Sequence, residues 1–140
     1  MAAVFALGAE GVWMGARFIA SEECPWHDNY KQAIVDTEEV IAIETTRFDI
    51  TNVRAVRTPF AEAVARREAG DRGKPYAGDA MANFYQGRTD LALVGAGESA
   101  VLIHDVKPAG DIVRETVAEF WSEIDRLADL RKPIVVPATA

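Results

Sequence analysis

Two glycine-containing segments carry the residues whose types and spacing could bind a ligand. The first is Val12-Trp13-Met14-Gly15-Ala16, in which a short apolar run of the buried-strand type ends at a glycine. A glycine directly after a buried strand lets the backbone approach a ligand closely, and exposed backbone N–H groups there can hold a phosphate. The same residues could instead form an ordinary strand-to-helix turn, and local chemistry alone favours that turn.

The second segment is Gly95-Ala96-Gly97-Glu98-Ser99-Ala100, which satisfies the dinucleotide-binding pattern Gly-x-Gly-x-x-Ala. A dinucleotide site requires this pattern inside a strand–helix–strand unit, with an acidic residue about 20 positions further on. Pro108 and a long predicted helix occupy the place of the second strand, so we reject such a site. The glycines still permit a close backbone approach, and the Ser99 hydroxyl can donate or accept a hydrogen bond.

The histidines and the single cysteine are weaker candidates. His104 precedes Asp105 and could act as a general base that this carboxylate orients, but we favour a partly buried histidine near a helix end. His27 is interpreted as part of a surface turn, and Cys24 as a small buried residue rather than a thiolate nucleophile. Because these residues are spread along the chain, no metal site is predicted.

Composition excludes several classes of protein. The chain has 140 residues, 49% of them apolar, and a formal net charge of -7. That apolar content supports a core and excludes an intrinsically disordered chain. The acidic balance argues against nucleic acid as a partner, and no apolar stretch reaches the roughly 20 residues that span a membrane. One cysteine and no signal peptide fit a cytoplasmic protein.

Hydrophobic spacing and turn residues predict the elements that must position the two segments. Helices are predicted over residues 1–7, 28–36, 59–69 and 77–86, and extended runs over residues 40–43 and 52–57. Asp28 is the expected N-cap of the second helix, and Thr58 should cap the third, with Pro59 at its first position. Residues 71–75 are the clearest loop.

The last helix has the clearest pattern of all. From Val113, apolar residues recur at i, i+4, i+7, i+8, i+11 and i+14, which is the spacing of one helix face. Pro108 lies near its start, and Pro133 should terminate it. We interpret this stripe as core packing against a neighbouring element. Its members are Val113, Val117, Phe120, Trp121, Ile124 and Leu127.

Residues 6–18, followed by 23–25 and 30–34, resemble the nitronate monooxygenase family, also called 2-nitropropane dioxygenase-like. Residues 95–103 resemble that family's C-terminal Ala-Gly-Gln-Ser segment, and the two anchors stand in the right order. Residues 40–86 match only loosely. Members of the family are FMN-dependent (β/α)₈ barrels with a smaller, mostly helical domain, and they oxidise alkyl nitronates with molecular oxygen.

The resemblance implies an α/β fold in which this chain is the C-terminal fragment of an FMN-binding (β/α)₈ TIM barrel, its last helix–strand unit, with the smaller helical domain. Residues 1–36 would end the flavin-binding barrel, with the eighth strand at residues 12–14. Residues 37–94 would form the smaller, mostly helical substrate domain. Residues 95–140 would return to the barrel and supply the C-terminal helix.

The resemblance also assigns roles to individual residues. Ala16 stands where threonine is usual, which removes one hydroxyl contact to the FMN phosphate, and Glu98 stands where glutamine is usual, which adds a charge near the site. The family's catalytic histidine lies upstream of this chain, so no catalytic residue is predicted here. The implied FMN-binding residues are Trp13, Met14, Gly15, Ala16 and Ser99.

Three functions remain open from the sequence. The leading one is an FMN-dependent oxidoreductase of the nitronate monooxygenase type, acting on a nitronate or similar small molecule with O₂, and expected to be inactive as a fragment. The second is an NAD(P)H-dependent quinone or enoyl reductase of the same superfamily. The third is a non-catalytic helical fragment or interaction module, whose apolar surface at residues 12–14 and along the last helix would promote self-association.

Overall fold

The structure, a computed structural model, describes residues 1–44, 52–66 and 80–131. They fall into two compact units, one of residues 1–13 and 110–131 and the other within Met14–Ala109. The predicted loop at 71–75 lies outside the described residues, whereas the helices predicted to extend to residue 69 and to Pro133 end earlier, at Ala65 and at Asp129. The elements in chain order are α1 (Ala2–Ala6), α2 (Ala16–Ile19), α3 (Asp28–Val35), β1 (Val40–Glu44), β2 (Asn52–Val56), α4 (Pro59–Ala65), α5 (Ala80–Tyr85), a 3₁₀ helix (Glu98–Leu102) and α6 (Ala109–Asp129).

An antiparallel hairpin lies at the centre of the larger unit. Strands β1 and β2 pair from Val40 opposite Val56 to Glu44 opposite Asn52, which confirms both predicted extended runs. Residues 94–96 add a short third stretch beside β2. The Val56 N–H donates to the Val94 carbonyl at 2.9 Å, and the Ala96 N–H donates to the Arg54 carbonyl at 3.1 Å.

The two faces of the hairpin pack in separate apolar clusters because successive side chains of a strand point to opposite faces. Val40 and Val56 share one face and pack with Tyr30 and Ile34 of α3. Ile43 and Ala55 share the other face and pack against α4. The α3-side cluster contains Ala16, Ala20, Tyr30, Ile34, Val40, Val56, Val94, Ala96, Ala100 and Ile103. The α4-side cluster contains Ile43, Ala55, Ala61, Val64 and Leu93.

The start of α4 follows the sequence prediction. The Thr58 side-chain oxygen accepts a hydrogen bond from the Ala61 N–H at 3.0 Å, and Pro59 is the first helical residue. A hydroxyl at the N-cap satisfies one of the backbone donors that the first turn leaves without an intrahelical acceptor. The predicted cap and proline are therefore both confirmed.

The predicted cap of α3 is wrong. Asp28 is the first helical residue, and His27 is the N-cap, with its Nδ1 accepting from the Asn29 N–H at 3.1 Å. The turn after α5 explains why the histidine is held there. Gly87 has φ +64°, and a Cβ at this position would lie 2.3 Å from His27 Nδ1. The Asn29 side chain donates to the Gly87 carbonyl at 3.2 Å, which ties the two turns together.

The predicted strand at residues 12–14 is also wrong. Residues 11–14 have no regular secondary structure, and Val12 and Trp13 are 40% and 98% exposed. A buried parallel strand needs neighbouring strands to satisfy its backbone groups. In the described ranges, β1 and β2 pair with each other, and β2 also pairs with residues 94–96.

In the smaller unit, the predicted last helix is confirmed as α6, with 21 residues. The Phe5 ring of α1 packs against Phe120, with 5.1 Å between ring centroids. The predicted burial of the whole stripe is wrong, because Val113, Val117, Trp121 and Leu127 are all exposed. At 1.5 Å of rise per residue, the five residues of α1 are too short to cover α6 along its length.

Candidate functional site

An open cleft of about 720 Å³ in the larger unit brings three separate stretches of the chain together. The start of α2 forms one wall, and one face of the hairpin, with residues of both β1 and β2, forms the second. The glycine segment that follows Val94 forms the third wall. The residues that line the cleft are Gly15, Ala16, Ile19, Ala42, Asn52, Arg54, Gly95, Ala96 and Gly97. The two glycine segments singled out from the sequence therefore meet at one site.

The glycine segment is held in place by its backbone. Gly95 bridges Ala55 in an antiparallel sense, and its carbonyl accepts a hydrogen bond from the buried Tyr30 hydroxyl at 3.3 Å. The segment then enters the 3₁₀ helix through Gly97, the N-cap. Pairing with β2 in this sense, followed by a 3₁₀ helix, differs from the strand–helix–strand unit of a dinucleotide site.

The first glycine of the cleft lies at the N-terminus of α2. The Gly15 carbonyl accepts from the Phe18 and Ile19 N–H groups at 3.0 and 3.1 Å, so Gly15 caps the helix. A Cβ built on Gly15, or on Gly97 across the cleft, would meet no atom within 4 Å. Both positions therefore leave room for a ligand beside the main chain.

Arg54 supplies the positive charge of the cleft. Its Nε lies 3.0 Å from Glu98 Oε1, and the two side chains are 61% and 67% exposed. The Nη1 and Nη2 groups of Arg54 form no hydrogen bond with any residue in the described ranges. Sequence reasoning missed Arg54, because its position beside the glycine segment follows from strand register, for which the sequence carries no local signal.

Arg57 lies just beyond the C-terminal end of β2 and has all three of its guanidinium nitrogens engaged. Its Nε and Nη2 contact Glu39 at 2.7 and 2.8 Å, and its Nη1 contacts Glu62 at 2.9 Å. Glu62 also pairs with Arg66. The hydrogen bond from Arg57, with the nearby charge of Arg66, lowers the pKa of Glu62. This network joins β2 to α4 and leaves no guanidinium nitrogen for a ligand.

The residues predicted from the resemblance lie in different places. Gly15 and Ala16 are on the wall of the cleft. Ser99 is exposed in the 3₁₀ helix, and neither it nor Met14 belongs to the described wall. Trp13 is part of the smaller unit. FMN binding by any of these residues stays a prediction.

His104 is exposed, so its predicted partial burial is wrong. The Asp105 carboxylate instead contacts Lys107 Nζ at 2.9 Å and Arg17 Nη1 at 2.8 Å. The hydrogen bond from Lys107, followed by that from Arg17, lowers the pKa of Asp105. The Asp105 carboxylate therefore joins Arg17 to Lys107 through ion pairs, and it does not orient His104 as a base.

The smaller unit contains a groove of about 900 Å³ between α1 and α6. Its wall is largely apolar, with the carboxylates of Glu119 and Glu123 as its charged side chains. None of the described residues that line this groove is an arginine or a lysine. Within the described ranges, no three His, Cys, Asp or Glu residues are grouped to hold a metal ion. None of the described helices combines the length and hydropathy that a membrane span requires.

Comparisons with known proteins agree with the fold. The sequence model of the nitronate monooxygenase family matches residues 1–119, which include both glycine segments. FabK from Thermotoga maritima is 32% identical, with a TM-score of 0.81 over 93% of this chain and 43% of FabK. A point mutant of that FabK is 31% identical, with a TM-score of 0.75 over 93% of this chain and 40% of the other.

This chain thus spans less than half the length of the FabK chains that it matches. The same matches confirm the predicted fold class, an α/β fold that is a fragment of a TIM barrel. The family match covers well over half of the chain, from α1 into α6. The chain belongs to the nitronate monooxygenase family.

Proposed function

We propose that this chain contributes the phosphate-binding part of an FMN-dependent oxidoreductase of the nitronate monooxygenase type, which oxidises alkyl nitronates with O₂. The observation that carries the proposal is the convergence of Gly15-Ala16, Gly95-Ala96-Gly97 and Arg54 on one cleft in a member of that family. The rest of the chain offers no comparable donor set within the described ranges.

The residues of the cleft fit a phosphate group. Glycines at 15 and 97 leave the main chain accessible, and the first turn of α2 has backbone N–H groups without intrahelical acceptors. Backbone N–H groups and a guanidinium are the donors that proteins use most readily for phosphate oxygens. In a chain with a net charge of -7, Arg54 gives the cleft the positive charge that a phosphate requires.

FMN supplies the redox chemistry when it is bound, and the protein supplies binding and orientation. We assign Arg54 and the backbone N–H groups of residues 15–16, Gly95 and Gly97 to holding the phosphate, and Tyr30 to positioning the Gly95 carbonyl. We assign no catalytic base to the described residues, because the resemblance places the family's histidine outside this sequence and His104 is not oriented by Asp105.

A bulky substitution in the cleft tests the proposal. Gly15→Trp should fill the space beside α2 and abolish retention of FMN after desalting, as measured by flavin absorbance of the purified chain. Gly11→Trp is the matched control, because Gly11 is exposed, has equally open surroundings and lies in the smaller unit. The proposal fails if the wild-type chain retains no flavin, or if Gly15→Trp retains as much as wild type.

Substrate turnover by the flavin-loaded protein separates the proposed function from the alternative reductase activity. A flavin-loaded protein that contains this chain should consume O₂ in the presence of an alkyl nitronate. Reduction of a quinone or an enoyl thioester by a nicotinamide, without nitronate turnover, would replace the proposed substrate class. It would leave the assignment of the cleft to FMN intact.

A further inference from the structure

We infer that Arg54 and Glu98 form an affinity-setting pair, in which Arg54 binds the phosphate of a ligand in the cleft and Glu98 competes with that phosphate for the guanidinium. The inference rests on the proposed FMN function and goes beyond it. It names a side chain that recognises the phosphate and a second side chain that limits how tightly the phosphate is held.

The geometry leaves the two terminal nitrogens of Arg54 available. Glu98 uses one oxygen to contact Nε at 3.0 Å, and the two terminal nitrogens have no partner among the described residues. Two parallel N–H groups of a guanidinium match two phosphate oxygens in a bidentate contact. Arg54 also lines the cleft together with Gly15 and Gly97, so a phosphate there would be within a site that has several donors.

Two other arginines of the larger unit are paired through more nitrogens than Arg54 is. Arg57 is bound to two carboxylates through three nitrogens. Arg88 contacts both oxygens of Asp90, through Nε at 2.9 Å and Nη2 at 2.8 Å. Neither residue lines the cleft. The single Nε contact of Arg54 is therefore a weaker pairing than theirs, and it lies at a cleft where a ligand can compete for it.

The charge of Glu98 opposes an anion in the same cleft. The Arg54–Glu98 pair is about two-thirds exposed, and exposed ion pairs contribute little net stability, so a ligand can displace Glu98 at small cost. The carboxylate nonetheless remains close to the guanidinium and repels a second negative group. Replacing it by glutamine keeps the shape of the side chain and removes the repulsion.

Flavin titrations separate recognition of the phosphate from recognition of the ring, because riboflavin is FMN without its phosphate. Arg54→Gln should weaken FMN binding about 10-fold and leave riboflavin binding unchanged. Glu98→Gln should tighten FMN binding about 3-fold, again without an effect on riboflavin. Raising the salt concentration should shrink both differences, since the groups are exposed.

Matched controls come from the Arg88–Asp90 pair, which is exposed and lies away from the cleft. Arg88→Gln and Asp90→Asn make the same changes in net charge as the test variants and should leave both affinities at wild-type values. The inference is overturned if Arg54→Gln weakens FMN and riboflavin equally, or if the Arg88 variant matches it. Either result would leave FMN binding, and so the proposed function, in place.

Inorganic phosphate tests the inference if the wild-type chain binds no flavin, an outcome that sinks the proposed function. Phosphate should then shift the backbone amide signals of Ala96 and Gly97 in NMR spectra of the wild-type chain and of Arg88→Gln, but not of Arg54→Gln. Absence of a shift in wild type would overturn the inference as well. Where flavin does bind, displacement of phosphate by FMN assigns the site to the cofactor, and failure to displace assigns it to another phosphorylated molecule.

Discussion

Arg54 lies in the middle of β2 and Arg57 directly after its last residue, yet the surroundings of the two side chains differ completely. Arg57 has its guanidinium bound by Glu39 and Glu62, next to the α4-side cluster. Arg54 has one contact to Glu98 and faces an open cleft whose Ala16 and Ala96 belong to the α3-side cluster. A structural arginine and a ligand-binding one therefore differ in the number of guanidinium N–H donors that protein carboxylates leave unused, rather than in residue type or exposure.

The largest effect should come from the core on the α4 side. Ile43→Ala removes a side chain that is 1% exposed, and loss of buried methyl groups with a residual cavity should lower the free energy of unfolding by about 3 kcal/mol. Urea denaturation measures this change. Ile41→Ala, on the same face but only partly buried, is the control and should cost about 1 kcal/mol.

Measuring flavin binding by the Ile43→Ala variant tests whether the α4-side cluster and the cleft act independently. Below its unfolding transition, Ile43→Ala should keep the wild-type ratio of FMN to riboflavin affinity, because Ile43 does not line the cleft. A ratio that collapses in the folded variant would show that the α4 side also controls the site, and the contrast between the two regions would not hold.

A smaller effect is expected on the α3 side, where Tyr30→Phe removes the hydroxyl that donates to the Gly95 carbonyl. Loss of a buried hydrogen bond should lower the free energy of unfolding by about 1 kcal/mol. FMN binding should weaken as well, because the glycine segment loses a contact that fixes it. Tyr85→Phe, at an exposed tyrosine, should change neither quantity. Equal behaviour of the two variants would contradict the assigned role of Tyr30.

The smallest effect should be a pH dependence of stability from the Arg57 network. The pKa of Glu62 is lowered in the folded chain by the hydrogen bond from Arg57 and the charge of Arg66, from a usual value of 4.5. The network therefore stabilises the fold above the unfolded pKa, and this contribution is lost as the pH falls through the lower, folded pKa. Chemical denaturation at a series of pH values should show this loss in wild type.

Glu62→Gln should be less stable than wild type above pH 4.5 and should show a flatter decline below it. The variant removes the titrating group and keeps the size of the side chain. Parallel pH profiles for the two proteins would contradict the role of Glu62. Because Glu62 does not line the cleft, Glu62→Gln should leave the ratio of FMN affinity to riboflavin affinity unchanged, and this ratio serves as an internal control.

Local features of the fold were predictable because their causes are local. A hydroxyl before a proline marked the start of α4, and the helical spacing from Val113 marked α6. The cap of α3 was mispredicted because His27 and Asp28 both carry a suitable acceptor, and the choice depends on a contact with Gly87 that is distant in sequence. Burial of the stripe was overestimated for a similar reason, since periodicity identifies a face and not what covers it.

The site was only half predictable. Gly15 and the segment at 95–97 stood out by composition, because glycine after an apolar run is unusual enough to notice. Their meeting at one cleft depends on the register that aligns residues 94–96 with β2, and the same register brings Arg54 to the rim. Because a shift of one residue would point Arg54 to the opposite face, no property of the arginine itself could have revealed its role.

The glycine segment is attached to β2 through main-chain hydrogen bonds, from the Val56 N–H to the Val94 carbonyl and from the Ala96 N–H to the Arg54 carbonyl. The acceptor of the second bond is the backbone carbonyl of residue 54, which every residue type carries, and the side chain there is mostly exposed. The ligand preference of this cleft can therefore drift or be redesigned through single substitutions at positions 54 and 98.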